Sequence, residues 1–152
     1  MFLEEPVWPP EDFATLAQVR TKGGLDIAAG ENACTVHQFR QMMTAGAVSH
    51  AQPSVIKVGG VTEYLNVVAL ADAMAVKLAP HSPYFGPGFL ATLQLMSLRD
   101  DGTFVEVFYM NRAACLWQGR IDIDAAGAIT LPEGPGLGYE PDKAVLERYR
   151  VS

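Results

Sequence analysis

Five polar residues recur along the chain at nearly even intervals, each at the end of a short apolar run. Glu4 follows "MFL", Glu31 follows "LDIAAG", Ser54 follows "VSHAQP", His81 follows "VKLAP", and Glu106 sits within "TFVEVFYM". The intervals between them are 27, 23, 27 and 25 residues, the length of one strand-helix unit. The stretches between them have helical patterning: "PEDFATLAQVRTKG", "TVHQFRQMMTAG", "VTEYLNVVALADAMA" after Gly59–Gly60, and "GFLATLQLMSL". Pro10 suits the first turn of the first helix, and Asn32 or Thr35 suits the N-cap of the second.

Strands alternating with helices predict a parallel sheet with right-handed crossovers. A polar group at five successive strand ends favours part of a TIM-type (β/α) barrel over a doubly wound open sheet, because barrel chemistry gathers at the carboxyl ends of the strands. A closed barrel needs eight units and typically ~250 residues. The chain therefore reads as the C-terminal part of a larger protein, with the barrel portion spanning 1–112.

After Met110 the pattern changes. "GRIDIDAAGAITLPEGPGLGYE" predicts a β-hairpin around a turn at Asp124 to Gly127 and then a Pro/Gly-rich loop, and "DKAVLERYR" predicts a short helix capped by Asp142. Residues 113–152 read as a return into another subdomain. "GPGLG" is no phosphate-binding fingerprint, because no strand-to-helix crossover surrounds it.

The formal charge of −6 gives no basic footprint for nucleic acid or an anionic membrane. The longest apolar stretch, "VVALADAMAV", is broken by Asp72 and too short to span a bilayer. The N-terminus has no signal-peptide pattern. Cys34 and Cys115 lack metal-ligand spacing and read as reduced thiols, so the expectation is a soluble cytoplasmic protein.

In order and spacing, "FLEEP", "AAGEN", "QPSVIKVGGVTE", "LAPHS" and "PGLGYEPD" resemble the enolase superfamily, in particular its mandelate racemase/muconate lactonizing enzyme branch. The resemblance covers nearly the whole chain. It implies barrel strands four to eight, with the C-terminal segment returning to a capping domain. It also implies a Mg²⁺ site in which Glu4 and Glu31 are the second and third carboxylate ligands. His81 would be the acid/base, and Glu106 a carboxylate that hydrogen-bonds a substrate oxygen. The first ligand and the strand-two base would lie upstream of Met1.

The residue types suit that chemistry. Mg²⁺ takes carboxylate oxygens and can neutralise charge on a substrate carboxylate as its α-proton leaves. Histidine supplies a base titrating near neutrality. Ser54 stands where the family often has Asp or Lys. It is expected to orient His81 through a neutral hydroxyl, which would not stabilise imidazolium as a carboxylate does. Lys57 lies three positions beyond Ser54, with opposite strand parity, and is a poor replacement.

Each residue also has a simpler explanation. Glu4 can be a solvated terminal residue, Glu31 a helix-start charge, His81 a satisfied core histidine, and Glu106 the partner of a basic neighbour. Glu5 has the wrong parity and reads as structural, and Asn32 reads as a cap. His37 and His50 read as packing or surface residues, and Gly59–Gly60 as tight strand-to-helix packing. "PHSPYFGPGF" can be a pocket wall or a rigid loop.

The expectation is a Mg²⁺-dependent lyase or isomerase acting on a small carboxylate, with a sugar-acid dehydratase preferred to a racemase. It would work as a homo-oligomer or with its N-terminal portion. Two rivals are a truncated, inactive remnant persisting as an oligomer through its open strand edges, and a sugar-acid binding module.

Overall fold

The sheet is built around Ile27–Ala29 (β2), a run whose three residues are all buried. β2 pairs in parallel with Leu3–Glu4 (β1) on one side and with His50–Ala51 (β3) on the other. β3 pairs in turn with Lys77–Leu78 (β4), again in parallel. The strand order β1-β2-β3-β4 is that of the sequence. The computed structural model describes residues 1–99, 104–108, 110, 112–116 and 121–151. Among these, no helix is long and apolar enough to cross a membrane.

The crossovers are helices whose ends are set by local chemistry. Phe13–Gly23 (α1) is capped by Asp12, whose side chain accepts from the Thr15 amide, and it stops at Gly24 in the left-handed region. The helix thus starts later than expected, and Pro10 lies in the turn ahead of it. Val36–Thr44 (α2) is capped by the Thr35 side chain, and Glu63 Oε1 accepts from the Val36 amide at 3.1 Å. Val61–Ala73 (α3) starts after Gly60, and Pro87–Met96 (α4) starts with Pro at its first position.

Phe39 and Met42 of α2 and Tyr64, Val67 and Ala71 of α3 pack with Ile27 and Ala51 of the sheet in one buried core. Helical and strand periodicities converge there. Arg20 pins the end of α1 to the turn before β3, donating from Nε to Ser49 Oγ and from Nη1 to the Gly46 carbonyl, each at 3.0 Å.

The fifth strand expected within "TFVEVFYM" is not formed among its described residues, 104–108 and 110. The reason lies in the adjoining segment, where Pro80 and Pro83 supply no amide hydrogens for a ladder. The Ser82 side chain substitutes for one. Its Oγ accepts from the Glu106 amide at 3.0 Å and donates to the Glu106 carbonyl at 3.1 Å.

Among the described residues the expected hairpin forms one antiparallel bridge, Ile123 to Ile129, around an Asp124 turn. Asp124 Oδ1 accepts from the Ala126 and Ala128 amides. Ile123 is 51% exposed, so this ribbon buries little apolar surface to extend its pairing. Lys143–Arg148 (α5) forms where expected, with Asp142 accepting from the Ala144 and Val145 amides.

Candidate active site

The strands are shorter than the apolar runs suggested, so most of the expected site residues lie in the loops just past them. Glu4 ends β1, Glu31 lies two residues beyond β2, and Ser54 and His81 lie three beyond β3 and β4. All four leave the sheet at its carboxyl edge, and Glu106 joins them through its tie to Ser82.

Glu31 reaches this edge through a turn at Gly30, where φ is +128°. A Cβ there would meet Phe39 Cε1 at 2.7 Å, so both the backbone angle and the packing select glycine. Glu5 stays structural, accepting from the Gly30 amide at 3.1 Å and from the Asn32 side chain at 2.9 Å. Asn32 therefore braces this turn, while Thr35 caps the helix.

Four acidic or imidazole groups converge. Ligand atoms of Glu4, His81 and Glu106 all lie within 4.8 Å of one another. Glu31 Oε2 is 2.9 Å from His81 Nδ1, and Glu106 Oε2 is 3.5 Å from the same nitrogen. Neither contact is an aligned hydrogen bond, so Nδ1 is buried in an electrostatic contact with two carboxylates. Burial pushes the Glu106 carboxyl above its ordinary range, and the Glu4 charge pushes it further. The Ser82 amide and His81 oppose the rise, and Glu31 adds to it.

Three further residues, which the sequence pattern did not assign to the site, take part. Gln52 is buried and donates to Glu4 Oε1 at 2.6 Å. Lys57 Nζ lies 3.9 Å from Glu31 Oε1. The parity argument against Lys57 fails because β3 ends at Ala51 and the residues around 57 form a turn. The third is Tyr84, and it alters the role expected for Ser54. The Ser54 hydroxyl is bonded to the Tyr84 hydroxyl, and it is the Tyr84 ring that meets His81, edge-on at 5.7 Å.

The donor set suits a hard divalent cation. Glu4, His81 and Glu106 each bring one ligand atom within reach of a common ion, and the like charges around Glu106 are those a cation would relieve. His37 is exposed on α2, and His50 lies in β3 against Phe2, so neither enters the site.

A sequence model of the family described as enolase C-terminal domain-like matches residues 1–145. The chain belongs to that family. Within this enolase-type family, D-galactonate dehydratase of Ralstonia pickettii (strain 12J) is 36% identical over 97% of this chain and 41% of that protein. The crystal structure of the 3,6-anhydro-D-galactonate cycloisomerase from Zobellia galactanivorans superposes with a TM-score of 0.87. It is 28% identical, over 97% of this chain and 42% of that one. A mandelate racemase/muconate lactonizing enzyme from a marine actinobacterium, crystallised in complex with magnesium, shares the fold. It has a TM-score of 0.85 at 24% identity, over 99% of this chain and 42% of that one. The chain thus spans about two fifths of the length of these relatives, and its four parallel strands match part of their barrels.

Proposed function

We propose that this chain carries the metal-binding and acid/base part of a Mg²⁺-dependent sugar-acid dehydratase of the enolase superfamily. The observation that supports the reading best is the convergence of Glu4, Glu31, His81 and Glu106 at one edge of a parallel sheet. The dehydratase named among its relatives acts on a sugar acid, and the cycloisomerase on a related one.

In this reading Glu4 and Glu31 hold the cation, with Gln52 and Lys57 orienting them from behind. A divalent cation bound there would offset the negative charge that builds on a substrate carboxylate when the α-proton leaves. His81 moves a proton at Nε2, since Nδ1 is taken up by the two carboxylates. Glu106, with its raised affinity for a proton, is suited to give one to a departing hydroxyl. Loss of the α-hydrogen and the β-hydroxyl as water leaves an enol that becomes a keto acid. The Pro/Gly-rich loop and α5, within residues 113–152, serve a capping subdomain.

A calorimetric titration with MgCl₂, run beside Glu31→Gln, tests the metal assignment. Saturable binding that the substitution abolishes supports it, and equal heats in the two proteins overturn it. Incubation with D-galactonate in deuterated water tests the acid/base assignment. Exchange of the α-hydrogen that is lost in His81→Asn supports a lyase or isomerase. Binding of the sugar acid without exchange favours a binding module instead.

A further inference from the structure

If His81 transfers protons, something must hold its ring, and the inference drawn here rests on that reading of His81. The two carboxylates beside Nδ1 attract it without an aligned hydrogen bond, so they set its charge environment more than the plane of its ring. The plane is met by another group. Tyr84 presents its ring to His81 with centroids 5.7 Å apart and an interplanar angle of 72°, an edge-to-face contact. Tyr84 is itself fixed at its far end, where its hydroxyl pairs with that of Ser54. Ser54 is fully buried (0% exposed), between Pro53 and Val55, which are buried too.

We propose that Tyr84, anchored by Ser54, is a positioning residue that turns His81 Nδ1 toward Glu31 and leaves Nε2 for proton transfer. Orientation and charge of the imidazole are then set by different groups. A neutral phenol ring restricts the rotation of His81 without stabilising its charged form, and Glu31 and Glu106 supply the negative potential. Burial pushes the Tyr84 hydroxyl above its ordinary range, the Ser54 hydrogen bond opposes this, and the charges of Glu31 and Glu106 reinforce it. The phenol therefore keeps its proton at neutral pH and remains able to pair with Ser54.

The arrangement can be read directly on the imidazole. The chain has three histidines, so two-bond ¹H–¹⁵N spectra of histidine-labelled protein contain few ring signals, and those of His81 are identified by their loss in His81→Asn. Spectra are taken free of divalent cations, at an alkaline pH beyond which the ring nitrogen shifts no longer change. The nitrogen shifts report the tautomer over a range far beyond what a nearby ring current moves. The expected wild-type state of His81 is predominantly the Nδ1–H tautomer.

Tyr84→Leu is expected to move His81 toward the tautomer mixture of a free imidazole, with His37 and His50 unmoved. Tyr84→Phe and Ser54→Ala are expected to shift it part-way and equally, and the double variant no further than either, because both remove the same anchor. Unchanged His81 nitrogen shifts in Tyr84→Leu overturn the proposal, as do unequal or additive effects of Tyr84→Phe and Ser54→Ala. If Tyr84→Leu does not fold, unchanged shifts in the two milder variants overturn it on their own. No substrate or metal enters the measurement. Expected shifts without α-hydrogen exchange would count against the proposed function alone.

Discussion

Gln52 reaches across β2 to hold Glu4. The two residues are 48 apart in sequence and lie at the ends of β3 and β1, yet Gln52 Nε2 donates to Glu4 Oε1 at 2.6 Å. Gln52 is 1% exposed and Glu4 is an exposed residue, so a rigid buried amide fixes a carboxylate that would otherwise move freely. Removing groups that orient metal ligands typically costs ~10–100-fold in affinity. Gln52→Leu is therefore expected to weaken Mg²⁺ binding by about that factor while the protein still melts cooperatively. Calorimetric titration checks it. Unchanged affinity would mean that Gln52 has only a packing role.

Gly30 joins β2 to Glu31 and should tolerate no side chain. Its φ of +128° is outside the range that residues with a Cβ adopt easily, and the added carbon would lie 2.7 Å from a Phe39 ring that is itself 0% exposed. Gly30→Ala is expected to lower stability by about 1–3 kcal/mol from backbone strain alone, with the Phe39 contact adding to it. Urea unfolding measures the loss. A variant as stable as wild type would show that the turn relaxes at no cost.

The distribution of what the sequence revealed follows from the range of each interaction. The crossover helices, the Asp142 cap and the placement of Glu4, Glu31 and His81 near strand ends depend on patterns within a few residues and are legible in the sequence, whereas the choice between Asn32 and Thr35 as the cap of α2 is not. Lys57 meets Glu31 from a turn, because the strand ends at Ala51 and strand parity does not extend as far as position 57. The Ser54–Tyr84 pair spans 30 residues and Gln52–Glu4 spans 48. No local periodicity encodes such contacts, since they depend on which loops the sheet brings together. The segment around Glu106 looked like a strand by composition. Its neighbour, interrupted by Pro80 and Pro83, gives it a serine side chain to pair with instead of a backbone ladder.

That serine carries its own prediction. Ser82 is fully buried, and its hydroxyl serves both the amide and the carbonyl of Glu106, while its own amide donates to Glu106 Oε2 at 3.3 Å. Ser82→Ala would leave a part-buried amide and carbonyl without these partners, at an expected cost of ~1–3 kcal/mol. The loss should be local. Amide hydrogen exchange at Glu106 is expected to accelerate far more than exchange at Ile27 or Ala51 in the core strands. Uniform acceleration would instead mean that Ser82 supports the whole fold.

His50 should make the fold sensitive to mild acid. It lies in β3 with its ring against Phe2 at 5.1 Å, and its Nδ1 is buried without a hydrogen bond. Burial holds its pKa below the ordinary 6.5. Asp26 opposes that shift, and Lys77 and the amino terminus add to it. The sign follows from proton binding. Between the lowered native pKa and 6.5 the unfolded chain takes up a proton that the folded chain refuses. The contribution to stability is therefore complete above 6.5 and is lost as the pH falls through the native value. His50→Gln removes the titrating group, so its melting temperature should fall less than that of wild type between about pH 8 and pH 5. Parallel melting curves across that range would show that the imidazole is protonated equally in both states and that burial at β3 exerts no pressure on it.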